Sequence, residues 1–298
     1  MFKKIVVPLD GSETAETVIP FAAEIAKHSG GELLFVTAVE QVGVWDATLN
    51  LQVMERESEV ATEYLEQARK AAGADSQKVT TKLVEGDAAE AVLAAVNEEK
   101  ADLLAIATHG RSGLARWLFG STATKLLEES KVPVLVIRPK SGEDKGAPGP
   151  VIKKILVPLD GSEAAQSILP VVEGFAKAMG ASIVLYHAVQ PLFAYPGFEM
   201  AGAAAIGQVA EDLQEQAKQI LTTAAQGVKS RGVEVTMVVN LDTAVEGIIR
   251  AADETGADLI AIATNGRGGV ARAAFGSVAD GVVRRCADVP CLVLRPTG

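Results

Sequence analysis

The chain is written twice. "KKIVVPLDGSE" at residues 3–13 returns as "KKILVPLDGSE" at 153–163, "ADLLAIAT" at 101–108 as "ADLIAIAT" at 257–264, and "VPVLVIRP" at 132–139 as "VPCLVLRP" at 289–296. A period of about 150 residues is too long for a stacked short repeat and matches a domain able to bury its own core. The reading is therefore two like domains, residues 1–139 and 151–298. Residues 140–150 between them are rich in Pro, Gly and charge, as an exposed linker would be.

Within each copy, short β-branched apolar runs alternate with longer stretches of helical period. In the first copy the strand candidates are residues 3–9, 32–39, 78–84, 102–107 and 134–137. A run such as "LLAIA" has no polar face, so it is buried on both sides, and a parallel sheet between helix layers is the architecture that does this. The expected class is α/β, two tandem doubly wound domains with five-stranded parallel sheets. One helix is expected through "ETAETVIPFAAEIAKHSGG", with Ser12 capping its start and Gly30 its end. The second copy carries an insertion at residues 195–208, ahead of its second helix, which reads equally well as a lid or a plain surface loop.

Composition narrows the function classes. A formal net charge of -10 argues against nucleic acid, which demands a positive face. No apolar stretch is long enough to cross a bilayer and no secretory leader is seen, so the cytoplasm is the expected location, without a membrane partner. Cys286 and Cys291 make neither a disulfide framework nor a zinc set and read as small core residues.

In an open parallel sheet, ligands bind beyond the carboxyl ends of the strands where strand order reverses. The first strand runs into Asp10 and the fourth into the loop "THGRSGLARWLFGST"; its copy is "TNGRGGVARAAFGSV". Gly110 and Gly113 would let the loop turn or approach a ligand closely. Gly120 and Ser121 would open a helix whose free N–H groups and dipole attract an anion. Arg111 and Arg116 recur as Arg267 and Arg272, keeping positive charge in both loops. A polyanion such as a nucleotide triphosphate fits; so does a bland reading in which the glycines only shape tight turns and the arginines are solvated. Asp10 and Asp160 have two readings as well, accepting a ligand hydrogen bond or capping the next helix.

Taken together these residues resemble the universal stress protein family, in its tandem form, over nearly the whole chain. The resemblance implies a Rossmann-like fold of the adenine nucleotide alpha hydrolase type. It also implies ATP (or AMP or ADP) with Mg2+, a pseudo-dimer of the two halves across their final strands, and an optional homodimer. Of the family's signature, Gly, two residues, Gly, nine residues, Gly and Ser or Thr, the last elements match at Gly110 with Gly120-Ser121 and at Gly266 with Gly276-Ser277. Ala107 and Ala263 stand in place of the first glycine. If that position needs positive φ, alanine is strained there by roughly 1 kcal/mol; if it needs only a small residue, the methyl is tolerated.

Carried across by resemblance, Pro8, Asp10 and Ala38 would flank adenosine. Ala107, Thr108, His109, Gly110, Arg111, Ser112 and Gly113, then Gly120, Ser121, Thr122 and Ala123, would hold ribose and phosphates. The matching set is Pro158, Asp160, Ala188, Ala263, Thr264, Asn265, Gly266, Arg267, Gly268, Gly269, Gly276, Ser277, Val278 and Ala279. Asp242 is expected opposite Gly86, so the copies differ there.

No Walker lysine, HExxH, CxxC or serine elbow is present. His109 faces Asn265 across the repeat, and an amide cannot replace a general base, so His109 reads as a loop hydrogen-bonding residue. His28 and His187 read as structural. The expectation is an ATP-binding stress-response sensor with at most slow hydrolysis. The alternative is a nucleotide-free scaffold or chaperone-like module; a hydrolase or ligase lacks a nucleophile.

Overall fold

The computed structural model describes residues 2–40, 47–72, 78–108, 120–138, 151–191, 203–264, 275–286 and 288–296. The chain divides into two compact units, Met1–Pro150 and Val151–Gly298. The first contains strands β1 (Lys4–Pro8), β2 (Glu32–Val39), β3 (Val79–Glu85), β4 (Leu103–Ala107) and β5 (Val134–Ile137), with helices α1 (Glu13–Glu16), α2 (Ile19–Ser29), α3 (Ala47–Ala71), α4 (Ala88–Glu98) and α5 (Ser121–Glu129). The second repeats the series as β6 (Lys154–Pro158), β7 (Ser182–Val189), β8 (Val235–Leu241), β9 (Leu259–Ala263) and β10 (Cys291–Leu294), with α6 (Glu163–Gln166), α7 (Leu169–Met179), α8 (Ala203–Ser230), α9 (Ala244–Thr255) and α10 (Ser277–Arg285).

Both sheets are parallel. In the first unit the strand order is β3-β2-β1-β4-β5, and in the second β8-β7-β6-β9-β10. The order reverses between β1 and β4, paired through Ile5 with Leu103 and Val6 with Leu104, and between β6 and β9. The central strands explain the apolar runs: Ile5, Val6, Val7 and Leu103 to Ile106 are buried, as are their counterparts. Each such side chain taken from water contributes about 1.5–3 kcal/mol. The expected α/β class with five-stranded parallel sheets is the one observed.

Two expectations need correction. The first helix is broken in two, because Pro20 lacks the N–H that would bond the Glu16 carbonyl and its ring would collide with it. α1 stops at Glu16 and α2 restarts with Pro20 in its first turn; Pro170 does the same after Gln166. Ser12 does cap the start and Gly30, at φ +60°, the end. In the second unit, residues 203–208 belong to α8 rather than to a loop ahead of it; the rest of the insertion, from 195, lies outside the described residues, as does the linker.

Candidate functional site

Beyond β1 the chain makes a tight turn held by its own side chains. Asp10 Oδ1 accepts the Ser12 N–H at 2.9 Å, Gly11 takes φ +82°, and Ser12 Oγ accepts the Ala15 N–H at 3.1 Å to cap α1. The second unit repeats this with Asp160, Gly161 (φ +86°) and Ser162, where the Ser162 hydroxyl also donates to Asp160 at 2.6 Å. The cap therefore falls to the serines. Asp10 folds the turn in front of them and remains exposed at the carboxyl edge of the sheet.

Because β1 and β4 are neighbours, this turn and the end of β4 emerge side by side. The Thr108 N–H bonds the Ile137 carbonyl at 2.9 Å and the Thr264 N–H the Leu294 carbonyl at 2.8 Å, which fixes both threonines at the strand exits. Thr108 is 3% exposed, and among the described residues its hydroxyl has no hydrogen-bond partner. Stranding such a group costs about 1–3 kcal/mol, so a bound polar atom here would be repaid. On the other flank, the Leu9 N–H bonds Val36 O at 2.8 Å and the Thr37 hydroxyl donates to Leu9 O at 2.9 Å. This holds β2, with half-buried Ala38, beside Pro8. Pro158 and Ala188 occupy the same places against Tyr186 and Asn240.

Ala107 is the last residue of β4, paired with Ile137, and Ala263 ends β9 opposite Leu294. Neither has positive φ. The alanines in place of the signature's first glycine are thus unstrained strand residues, and the small-residue reading applies.

Gly120 is the N-cap of α5. Its φ of -58° suits any residue, and a Cβ added there would meet nothing within 4 Å. The backbone does not demand glycine at that place, and no side chain caps the helix. Among the described residues nothing covers the first-turn N–H groups that glycine leaves open, the form of an anion cradle. Gly276 caps α10 in the same manner at φ -55°. Ser121, Thr122 and Ser277 are exposed in the first turns, Ala123 and Val278 half-buried; Ala279 is buried, so only its backbone can face a ligand. Residues 109–113 and 265–269, which include His109, Asn265 and the loop glycines and arginines, lie outside the described residues.

The surroundings of the two cradles differ. Lys125, one turn into α5, pairs with Glu90 at 2.8 Å and Asp87 at 3.4 Å, which raises its pKa; Asp87, the cap of α4, is held below its ordinary value first by the Glu90 backbone N–H it accepts and then by Lys125. At the matching place α10 has Gly281, whose added Cβ would meet Val245 Cγ2 at 2.8 Å, preceded by Asp280 paired with Arg284 at 2.6 Å. Gly86, at φ +116°, is replaced by Asp242 as expected, and Asp242 pairs with Arg250 at 3.0 Å.

Sequence reasoning missed Tyr64. It lies on α3, where an aromatic in an amphipathic helix reads as core filler, yet the fold brings it to the Asp10 turn. The one signal was that its counterpart across the repeat is Ile220.

The model of the universal stress protein family matches residues 1–138 and 152–295, one copy per unit. The chain belongs to the universal stress protein family. A universal stress protein of Mycobacterium tuberculosis is 26% identical over 302 residues, covering 98% of this chain and 96% of that protein, so the tandem layout is shared end to end. One from Methanocaldococcus jannaschii is 30% identical over 146 residues, 46% of this chain and 83% of that protein. Among solved structures, a universal stress protein from Archaeoglobus fulgidus superposes with TM-score 0.74 at 21% identity, covering 99% of both chains, which is a likeness of fold. Among the described residues no helix is long and apolar enough to cross a membrane, and no cluster of three or more His, Cys, Asp or Glu could hold a metal ion.

Proposed function

We propose that each unit binds one adenine nucleotide and that occupancy sets the shape or partner affinity of a stress-response sensor. Base and ribose would lie against Pro8, Asp10 and Ala38, with ATP and its Mg2+ directed to the glycine loop and the start of α5. In the second unit Pro158, Asp160, Ala188 and α10 would do the same. The observation that carries this is, in the first unit, the buried hydroxyl of Thr108, which has no partner among the described residues at the point where strand order reverses. The open N-cap of α5 supports it, and the partial family signature supplies the ligand class. The described residues offer positioning groups and dipoles but no nucleophile aligned with a base, so hydrolysis is expected to be slow.

Acid extraction of the purified chain, with ion-exchange chromatography of the supernatant, is expected to release adenine nucleotide, and ATP titration to give two equivalents per chain. Gly120→Val or Gly276→Val puts a branched side chain into the cradle; at Gly120 the φ of -58° and the space around an added Cβ bring no backbone strain and no clash with the described residues. Each is expected to halve the bound nucleotide. No nucleotide on extraction together with no heat on titration would instead favour a scaffold that works by its surface alone.

A further inference from the structure

The Asp10 turn is bordered differently in the two units. In the first, the Tyr64 hydroxyl is shut away from water close to the Glu16 carboxylate, the Asp10 carboxylate and the Gly11 amide, and among the described residues no partner meets it in full hydrogen-bond geometry. In the second, the repeat places Ile220 at the position of Tyr64, on a helix whose buried Leu221 matches Leu65, and Gln166 at the position of Glu16. The turn itself is the same in both.

Glu16 on α1 and Tyr64 on α3, two groups gathered at the shared Asp10 turn, thus distinguish one otherwise duplicated site, and the chemistry of all three says what they suit. Two carboxylates and a phenol oxygen make an acceptor-rich surface that repels phosphate and favours a neutral donor. Burial first, then the nearby charge of Glu16, keeps the phenol protonated far above its ordinary range, so it also retains one O–H to give. A hydroxyl or amino group that both donates and accepts satisfies the set, whereas a triphosphate oxygen does not. Nucleosides carry such groups on the ribose and on the base.

We infer that Tyr64, with Glu16, is a ligand-reading group of the first unit's site, contacting a hydroxyl or amino group at the nucleoside end of the nucleotide. The second site, with Ile220 and Gln166, reads that end less strictly. The two sites are then unequal in selectivity although their turns and cradles repeat. This rests on the nucleotide reading given above.

The full chain is titrated calorimetrically in two backgrounds, Gly276→Val, with the first site open, and Gly120→Val, with the second open. The probes are ATP, 2′-deoxy-ATP, which lacks the ribose hydroxyl, and ITP, which lacks the base amino group. In the first-site chain one of the two analogues is expected to bind at least about 10-fold more weakly than ATP, and which one names the group that is read. Tyr64→Phe is expected to weaken ATP there by about 5–10-fold, the worth of one hydrogen bond, and to remove the discrimination, with no change in the second-site chain. Glu16→Gln, which installs the second unit's own residue, gives the same direction by a variant with no packing change. Equal selectivity at both sites, or ATP affinity unmoved by both variants in the first-site chain, overturns the inference while two bound equivalents leave the nucleotide reading standing. A parent chain that takes up no nucleotide overturns both.

Discussion

At Gly247 the missing side chain is space already filled. A Cβ there would lie 2.2 Å from the Tyr186 hydroxyl and 3.0 Å from Asp242 Cβ. Tyr186 is fully buried, and that burial, with the charge of Asp242, pushes its phenol up to about 12. The repeat explains the pairing: Val36 and Ala91 hold these two places in the first unit, so the second has traded a larger strand residue for a smaller helix residue. Gly247→Ala is expected to destabilise the chain by about 1–3 kcal/mol through overpacking. Tyr186→Val alone leaves a cavity and costs about 2–4 kcal/mol. The double variant, which copies the first unit's pair, should recover much of the sum, giving a coupling of about 1–3 kcal/mol in urea unfolding. Additive losses would mean the two residues do not share the space. At this scale the sequence was legible where local chemistry decides, as at Ser12 and Gly30. It was opaque where a partner arrives from elsewhere: Gly247 reads as a helix flaw and Tyr64 as filler until α9 and α3 are laid on the sheet.

Strand existence was legible because central parallel strands leave no polar face, and β2 and β5 fall on the expected residues. The break at Pro20 was missed because the apolar period continues across it, although proline chemistry forbids the helix from doing so. What ties β1 to its neighbours was also hidden. Lys4 Nζ lies 3.2 Å from Glu32 on β2 and 3.0 Å from Glu99 at the end of α4, and Lys78 also pairs with Glu32. Lys78 and then Lys4 hold the Glu32 carboxyl below its ordinary 4.5; Lys4 and then Lys82 do the same for Glu99. A carboxyl with a lower pKa folded than unfolded contributes stability above the unfolded value and loses it as pH falls through the folded one. The melting temperature should therefore fall between about pH 5 and pH 3. In Lys4→Met it should start lower at neutral pH and fall less steeply, so that the two curves converge in acid. The second unit is the internal control: Lys154 Nζ donates to the Thr255 carbonyl at 2.5 Å, a neutral acceptor. Lys154→Met should leave the acid slope unchanged; an equal change of slope in both variants would remove the carboxylates as its cause.

For the molecule as a whole, duplication was legible from the first few residues of each copy, and the family from its loop. Part of the inequality of the copies was legible too, as Asp242 opposite Gly86; Gly281 for Lys125 was not, because it gains meaning only when the helix starts are set in place around a strand exit. Each unit has its own buried strands and its own crevice, which makes each a separate object for ligand linkage. A ligand that binds only the folded form stabilises it by RT ln(1 + [L]/Kd), about 2.7 kcal/mol at 100 times Kd. In the parent chain saturating ATP should raise the stability of both units. In Gly276→Val it can act on the first alone, and in Gly120→Val on the second alone. Scanning calorimetry of the two variants with ATP should then show one transition moved up and the other in place, with the moved transition exchanged between variants. A uniform shift of a single transition in both would mean that the units unfold as one body, and ATP in one crevice would stabilise the whole chain. No shift in either variant, with the parent shifted, would mean that each site needs the other intact.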